Sequence, residues 1–431
     1  MKIKVESKGK YPMYFAIFCL IVTGYLKSIP EVTSQGFDQK NYIEIRGLVL
    51  RGETKKPLEY ASVSVNETNI STITNIEGTF LLKIPKQESG KSITINYLGF
   101  INKVVPISEF SNKIYKIRLY ESVEKLDEIN LLSGNPNEII RKVVANRRVN
   151  SFDDPTILKA FYRESIKKRK SYASLSEAVI EVYNKPFKNA GSDYVKLHKV
   201  RKSTNYNKLD TLVIKLQGGP YNNLNMDMIK NQDLFFNEDI FNHYEFKLDK
   251  TTTINDRVTY IIDFKPKGYV SIPLFYGQLF VDSKTYALSK AFFNLNLDDQ
   301  KSASKYFVKR KPSKAEVIPT VASYRVDYII NNGKWYHGYS RIELGFKVNW
   351  KKRIFNSNYY ITIEMAVTDW KSNSDNTKLK SKEKLSANII LNDEATGFSN
   401  PEFWGEHNVI EPDKSIENAI KKINRQFQSN G

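Results

Sequence analysis

The sequence predicts a mainly β protein, with an N-terminal β-sandwich followed by a helix and a larger antiparallel, curved β-sheet domain. Residues 43–120 contain short segments in which apolar and polar side chains alternate, separated by Gly, Pro and Asn. Alternation with a period of two residues is the pattern of a strand with one buried face. A second set of such segments fills residues 253–370 and is typical of an antiparallel meander.

The sandwich is predicted over residues 43–120. Its first strands cover residues 43–49 and 61–65, and residues 52–57 between them supply Gly, charge and Pro, which favours a hairpin loop. Residues 75–78 form the next turn, and three further strands follow at residues 79–84, 92–97 and 114–119.

The amino-acid sequence of this domain resembles that of the carboxypeptidase-regulatory-like family in residues 44–49, 57–63, 75–80 and 97–100. That resemblance implies a small transthyretin-like sandwich that accompanies enzymes and outer-membrane receptors without doing chemistry itself. The family usually has Asp where Asn75 stands, which argues against a calcium site in that turn.

The N-terminal 34 residues have the pattern of a signal peptide. Basic residues precede the apolar run 13–26, which is shorter than the ~20 residues of a spanning helix. Cleavage after Ser34 predicts an exported protein, and an uncleaved anchor, associating the chain with the membrane, is the alternative. Cys19 is the single cysteine and lies inside the apolar run, so the mature chain would have no disulfide.

The chain carries a formal net charge of +19, and residues 1–34 contain five Lys and two Glu, so their removal leaves +16. A basic protein of the envelope favours anionic partners such as lipid head groups or acidic glycans. The sequence lacks an RNA-binding or helix-turn-helix signature, which argues against a nucleic-acid partner.

Residues 121–134 form a predicted linker that leads into a helix within the second domain, residues 135–370. Asn135 is the expected cap, Pro136 suits the first helical position, and Glu138 would complete a capping box. Apolar residues at helical spacing as far as Val144 predict that this helix, which should end near Arg148, docks onto the sheet.

Residues 159–165 and 172–179 carry a second resemblance, to exported Gram-negative proteins that have a carboxypeptidase-like regulatory domain. These segments contain Arg163, Glu164 and Glu177. If the three face one another across adjacent strands, they would form either a buried charge network that fixes strand register or part of a polar binding site.

The second sheet includes a strong hairpin signal at residues 331–333, which joins two aromatic-rich strands. Residues 359–367 supply a further alternating strand. The pattern from Tyr260 to Asp282 is similar to that of periplasmic lipoprotein carriers, in which a half-barrel holds acyl chains.

A zinc carboxypeptidase needs closely spaced His and Glu ligands and a distant His. The chain has His198, His243, His337 and His407, and none of them forms such a motif. The sequence also lacks a nucleophile elbow, a Walker loop and a dinucleotide fingerprint. We therefore expect no zinc or other metal site, no cofactor and no catalysis by these routes.

Residues 371–431 are predicted to form a polar, Lys-rich loop, 371–384, and a C-terminal helix capped by Ser415. Phe403 and Trp404, with Phe398, are expected to anchor this tail on the sheet.

Together these features predict a non-catalytic binding or scaffolding protein of the cell envelope, in the periplasm or at the periplasmic face of the outer membrane. Its expected partner is an envelope protein or an anionic lipid or glycan. Two alternatives remain open: a periplasmic carrier of a hydrophobic, acyl-chain ligand, and a glycan hydrolase with two carboxylates that are remote in sequence.

Overall fold

A computed structural model describes most of the chain from residue 41 onward. The described residues are 41–122, 135–186, 193–204, 218–231, 236–268, 273–307, 315–351, 356–389, 391, 396–397 and 403–429. Tyr42–Gly431 form one compact unit. The predicted signal segment 1–34 and nearly all of the predicted linker lie outside the described residues, and the domain boundaries stay predictions.

The structure confirms a mainly β fold that begins with a small sandwich. Its strands are β1 (Tyr42–Arg51), β2 (Ser62–Val65), β3 (Ser71–Ile73), β4 (Thr79–Pro85), β5 (Ser92–Asn96), β6 (Lys103–Pro106) and β7 (Tyr115–Leu119). One sheet has the order β4-β1-β7 and the other β3-β2-β5-β6. Residues 52–57 form the predicted hairpin loop, which turns the chain back on β1 with an antiparallel bridge between Leu50 and Pro57. β1 and β2 themselves do not pair, because they belong to different sheets.

Alternation of side chains builds the sandwich core. Phe80, Leu82 and Ile84 of β4 are completely buried, as are Ile93 and Ile95 of β5 in the facing sheet. The period-two pattern thus gives each sheet one apolar face, and the two faces pack on each other.

A second, larger sheet contains the remaining strands. They are β8 (Thr156–Lys168), β9 (Ser171–Asn184), β10 (Tyr194–Thr204), β11 (Tyr244–Ile254), β12 (Arg257–Pro266), β13 (Phe275–Asp282), β14 (Leu288–Leu295), β15 (Ala315–Asn331), β16 (Lys334–Trp350), β17 (Ser357–Ser372) and β18 (Thr396–Gly397). The order is β11-β12-β13-β14-β15-β16-β17-β8-β9-β10-β18. Neighbours are antiparallel except for the short β18, which pairs parallel with β10. This arrangement confirms the predicted antiparallel meander.

The described residues include five α-helices. They are α1 (Pro136–Asn150), α2 (Pro220–Leu224), α3 (Glu238–Phe241), α4 (Gln300–Phe307) and α5 (Lys414–Ser429). Within the described part of the chain, none of them has the length and apolar character needed to cross a membrane.

The hairpin between β15 and β16 is fixed by its turn residues. Asn332 and Gly333 have φ angles of 48° and 75°, and Asn331 pairs with Lys334. Two consecutive residues with positive φ match the twist of the flanking strands, which is why Asn-Gly is favoured there.

The large sheet has two differently covered faces. The helix face carries an apolar core that includes Tyr162, Ile363 and Phe346, and residues of α2 and α4 pack against it. A second cluster on this face receives Ile139, Ile140 and Val143 of α1, which confirms that this helix docks on the sheet. The sandwich face carries Phe161, Val179 and Tyr339, and contacts the sandwich at Tyr60 and Ile73.

Two predicted helix caps differ in detail from the structure. Asn135 Oδ1 accepts from the amide of Asn137 at 3.0 Å, so the cap bond does not go to Glu138. In α5 the cap is Asp413, whose Oδ1 accepts from the amide of Ile416 at 2.8 Å, and the Ser415 hydroxyl donates to that carboxylate. Asp accepts such bonds as well as Ser does.

The Lys-rich segment after β17 is not a free linker. Leu379 is buried, and the amide of Leu385 donates to the carbonyl of Val195 at 2.7 Å. Glu383 also lies 3.4 Å from Lys196. These contacts place residues 379–385 along β10, because a few apolar and paired groups are enough to fix a mostly polar segment.

Candidate functional site

A row of charged side chains crosses the sandwich face of the large sheet. Six residues on six neighbouring strands, β15 to β10, stand in direct cross-strand register, and we call them the charge ladder. In order across the sheet they are Arg325, Arg341, Glu364, Arg163, Glu177 and Arg201. Residues in register on one face have Cβ atoms about 5 Å apart, close enough for their side chains to pair.

The centre of the ladder is a chain of ion pairs. Arg163 Nε lies 2.7 Å from Glu177 Oε1, and Arg201 Nη2 lies 2.7 Å from Glu177 Oε2. On the other side, Arg341 Nη1 lies 2.6 Å from Glu364 Oε1, and the second oxygen of Glu364 is 3.8 Å from Arg163. The sequence-predicted residues Arg163 and Glu177 are therefore brought together.

Glu177 is completely buried and yet stays ionised. Burial by itself would raise the pKa of its carboxyl group, but the guanidinium groups of Arg163 and Arg201 lower the pKa below its ordinary value. A buried carboxylate is tolerated only when such partners satisfy it. The carboxylate is consequently a fixed structural anion whose oxygens are already used.

Glu164 does not belong to this network, contrary to the predicted grouping. Successive residues of a strand point to opposite faces, so Arg163 lies on the sandwich face and Glu164 on the helix face. There Glu164 Oε2 accepts from the hydroxyl of Tyr162 at 2.9 Å. Burial raises the pKa of the Glu164 carboxyl to about 7.

The end of the charge ladder formed by Arg325 and Arg341 contacts the sandwich through Tyr60. The ring of Tyr60 stacks on Tyr339 with centroids 5.8 Å apart. The guanidinium carbons of Arg325 and Arg341 lie 5.1 and 5.0 Å from the centroid of the same ring. Arg325 is itself neutralised by Asp327 at 2.6 Å. Tyr60 thus connects the sandwich to the ladder by stacking and cation–π contacts.

A segment near the C-terminus, residues 403–413, closes over the ladder, and we call it the strap. The carbonyl of Ile410 accepts from Arg163 Nη2 at 2.7 Å. Trp404 lies under Arg201, 4.7 Å from its guanidinium carbon, and meets the ring of Phe161 edge-on. The prediction that Phe403 and Trp404 anchor the tail is confirmed, whereas Phe398 lies outside the described residues.

The strap also binds the sandwich. The side-chain amide of Asn408 accepts from the backbone N–H of Lys83 at 2.7 Å and donates to its carbonyl at 3.0 Å. Lys83 is on β4, an edge strand. Further along, Arg46 Nη1 donates to Glu411 Oε1 at 2.8 Å. The ladder, Tyr60 and the strap together hold the sandwich against the large sheet.

Sequence reasoning missed four of the six ladder residues: Arg201, Arg325, Arg341 and Glu364. The alternation of charged and apolar residues can be read within each strand. Which residues share a row across the sheet depends on how the strands pair, and that cannot be read within one strand. In the described part of the chain, no group of three or more His, Cys, Asp or Glu side chains could hold a metal ion. The expected lack of metal and cofactor stays a prediction.

Comparisons with known proteins find a family match in the N-terminal part of the chain. Residues 45–131 match the family model of the CarboxypepD_reg-like domain. No curated protein matches the chain.

Two solved structures show faint similarity. A DUF1329 family protein from Desulfovibrio piger is 13% identical with a TM-score of 0.24, covering 56% of this chain and 95% of its own. Lipovitellin, described for its lipid–protein interactions, is 9% identical with a TM-score of 0.28, covering 54% of this chain and 27% of its own. Both scores are too low to support an argument. What the comparisons establish is that residues 45–131 match the carboxypeptidase-regulatory-like domain.

Proposed function

We propose that this protein is a non-catalytic binding or scaffolding protein of the bacterial cell envelope. The observation that carries the proposal is the way the charge ladder is used. The buried carboxylate of Glu177 pairs with Arg163 and Arg201, and Arg163 also donates to the strap at Ile410. The charged residues that the sequence singled out therefore help to join the sandwich to the large sheet. Because the regulatory-like domain is fixed to the large sheet in this way, the two present one continuous surface to which a partner can bind.

The partner is expected to be anionic or to belong to an anionic material. Several ladder charges neutralise one another, but the chain as a whole has 66 Lys and Arg against 47 Asp and Glu. Such an excess attracts anionic polymers and surfaces over distances of about one Debye length, ~8 Å at physiological salt. In the envelope these are lipid head groups and acidic glycans.

Fractionation and intact-mass analysis test the location. The full chain is produced in a Gram-negative host, the envelope and the cytosol are separated, and the mass of the purified protein is measured. We expect the protein in the envelope fraction, shortened by cleavage after Ser34 or, in the alternative, retained with its N-terminal segment in the membrane. Recovery of the uncleaved chain from the cytosol would overturn the envelope proposal.

Co-sedimentation tests the binding role. Purified protein is mixed with envelopes stripped of their own proteins, at about 50 mM and about 500 mM NaCl, since salt weakens charge-driven association. Binding that falls with salt, without release of glycan fragments, supports the proposal. Release of fragments would instead establish the hydrolase alternative. Native mass spectrometry before and after organic extraction addresses the carrier alternative, because a lipid-sized mass removed by solvent would replace scaffolding with transport.

A further inference from the structure

The strap begins with a tight turn, residues 403–407, that lysine side chains hold from two sides. Gly405 has a φ of 54°, a left-handed conformation that glycine adopts without strain. Lys199 of β10 donates to the carbonyl of Phe403 at 3.1 Å. Lys83 of β4 donates to the carbonyl of Gly405. The turn is thus bonded to the large sheet and to the sandwich at the same time.

His407 ends this turn and is buried among other bases. Only 8% of its surface is exposed, and its ring meets that of His198 edge-on, with centroids 4.8 Å apart. The other charges that act on it most strongly are those of Lys83, Lys159 and Lys199. These neighbours come from β4, β8 and β10, so a positive charge on the imidazole would be repelled by both the sandwich and the large sheet.

The imidazole also lacks an acceptor for a second proton. Nδ1 is buried and has no hydrogen-bond partner among the described residues. A charged imidazole has a hydrogen on each nitrogen, so Nδ1 would become the unpaired donor of a buried cation. Burial, followed by His198 and the three lysines, lowers the pKa of His407 to about 4. The closed strap therefore keeps this ring in its neutral form.

Among the described residues, the carboxylates near the turn do not offset these bases. Glu406 is exposed to solvent, and Asp369 and Glu181 stand in register with Lys159 rather than with the turn. Glu411 lies farther along the strap, and burial raises the pKa of its carboxyl group. Acidification is therefore unfavourable to the closed strap at the imidazole and favourable at Glu411, and a test has to separate the two.

We propose that protonation of His407 releases the strap, so that the strap is closed at neutral pH and separates from the sandwich and the large sheet at acidic pH. Asn408, the next residue, makes two hydrogen bonds to the backbone of Lys83, and Ile410 accepts from Arg163. Release breaks these contacts and leaves the edge of β4 open. An open strand edge can pair with a strand of another protein. Acidity then exposes a binding surface that is covered at neutral pH, an inference that goes beyond the proposed binding role and does not depend on it.

The expected size follows from the two pKa values of His407. In a released strap the imidazole returns to its ordinary pKa of 6.5, against about 4 in the closed strap. The released state therefore binds a proton more tightly, and closure weakens as the pH falls through this range. At about pH 5 the ratio of closed to released strap should be about 30-fold lower than at about pH 8.

Hydrogen exchange followed by mass spectrometry tests the proposal on the full-length protein at about pH 5 and about pH 8, with the intrinsic change of exchange rate corrected. Peptides covering residues 403–413 should lose protection by about 30-fold at the lower pH, and the amide of Lys83 should lose it with them. His407→Gln cannot take up the proton, so its strap should be equally protected at both pH values. His243→Gln, at an exposed histidine, is the matched control and should respond like the wild type.

A second readout does not require a variant that folds. The chain has four histidines, so side-chain spectra of the wild type can follow the protonation of each ring. The His407 ring should titrate below its ordinary pKa of 6.5, and its change of charge should coincide with the loss of protection in the strap. Glu411→Gln removes the opposing carboxyl group and should enlarge the response.

Three outcomes would overturn the proposal: unchanged protection of the strap between the two pH values, an equal acid response in His407→Gln, or a His407 ring that titrates at its ordinary value. If His407→Gln loses the strap at both pH values, the wild-type titration decides, and only a coincident change of charge and protection keeps the proposal. None of these measurements uses an envelope, so their failure leaves the proposed binding role in place.

Discussion

Glu164 should make the stability of this protein fall as the pH rises through the range from about 4.5 to about 7. Its carboxyl group is buried on the helix face, and its described hydrogen bond comes from Tyr162. The perturbation is Glu164→Gln, which keeps the shape and an acceptor for Tyr162 but can never carry a charge.

The magnitude follows from the pKa. Burial raises the pKa of Glu164 from 4.5 to about 7, so the folded state holds its proton more tightly than the unfolded state does. Between these values the folded protein binds more protons than the unfolded one, and stability therefore falls as pH rises. A difference of 2.5 pKa units corresponds to about 3 kcal/mol. Below pH 4.5 this stability is fully present.

The assay is urea denaturation of wild type and Glu164→Gln at about pH 4.5 and about pH 8, with free energies taken from the midpoint and slope. The two proteins should be similarly stable at the lower pH, and the variant should be more stable by about 3 kcal/mol at the higher one. Glu245→Gln, at an exposed position of β11, is the control and should follow the wild type. Parallel midpoints for wild type and Glu164→Gln at both pH values would refute the reasoning.

Three further substitutions probe the junction between the sandwich and the sheet. Tyr60→Ala should destabilise the protein by about 3 kcal/mol through loss of the stacked ring, with faster hydrogen exchange in β2 and β3; unchanged exchange would contradict its anchoring role. Glu177→Gln should cost about 3–5 kcal/mol in chemical denaturation because it removes the buried carboxylate that neutralises Arg163 and Arg201, whereas Glu343→Gln, at a half-exposed pair, should cost no more than about 1 kcal/mol. Equal losses of unfolding free energy in the two variants would show that burial does not determine how much an ion pair of the ladder stabilises the fold. Asn408→Ala should lower stability by about 1–3 kcal/mol and, because it removes the bonds to the edge strand β4, increase self-association measured by light scattering. A monomeric variant of wild-type stability would show that Asn408 does not protect the edge of β4.

The strands and their turns could be predicted because their signals are local. The alternation in β1 and β4 and the Asn332-Gly333 turn depend only on neighbouring residues. β3 and β6 were missed because Ser71–Ile73 and Lys103–Pro106 do not alternate between apolar and polar residues.

The ladder could be predicted only in part, because its spacing is set by strand pairing. Arg163 and Glu177 lie on consecutive strands, 14 residues apart, so a hairpin brings them together. Arg341 and Glu364 reach the same row only through the pairing of β16, β17 and β8. The error over Glu164 has a simple cause, since residues next to each other in a strand cannot share a face.

The strap has a consequence for how the chain is made. It joins residues 365 and 325 positions apart, Arg46 with Glu411 and Lys83 with Asn408. At a synthesis rate of about 5–20 residues per second, β4 emerges about 20–60 s before the residue that covers it. The local contacts of the sandwich allow it to fold early, but its edge stays open for that interval. Completion of the structure therefore waits for the synthesis of the strap, and a chaperone that shields a strand edge would be most useful before residues 403–413 appear.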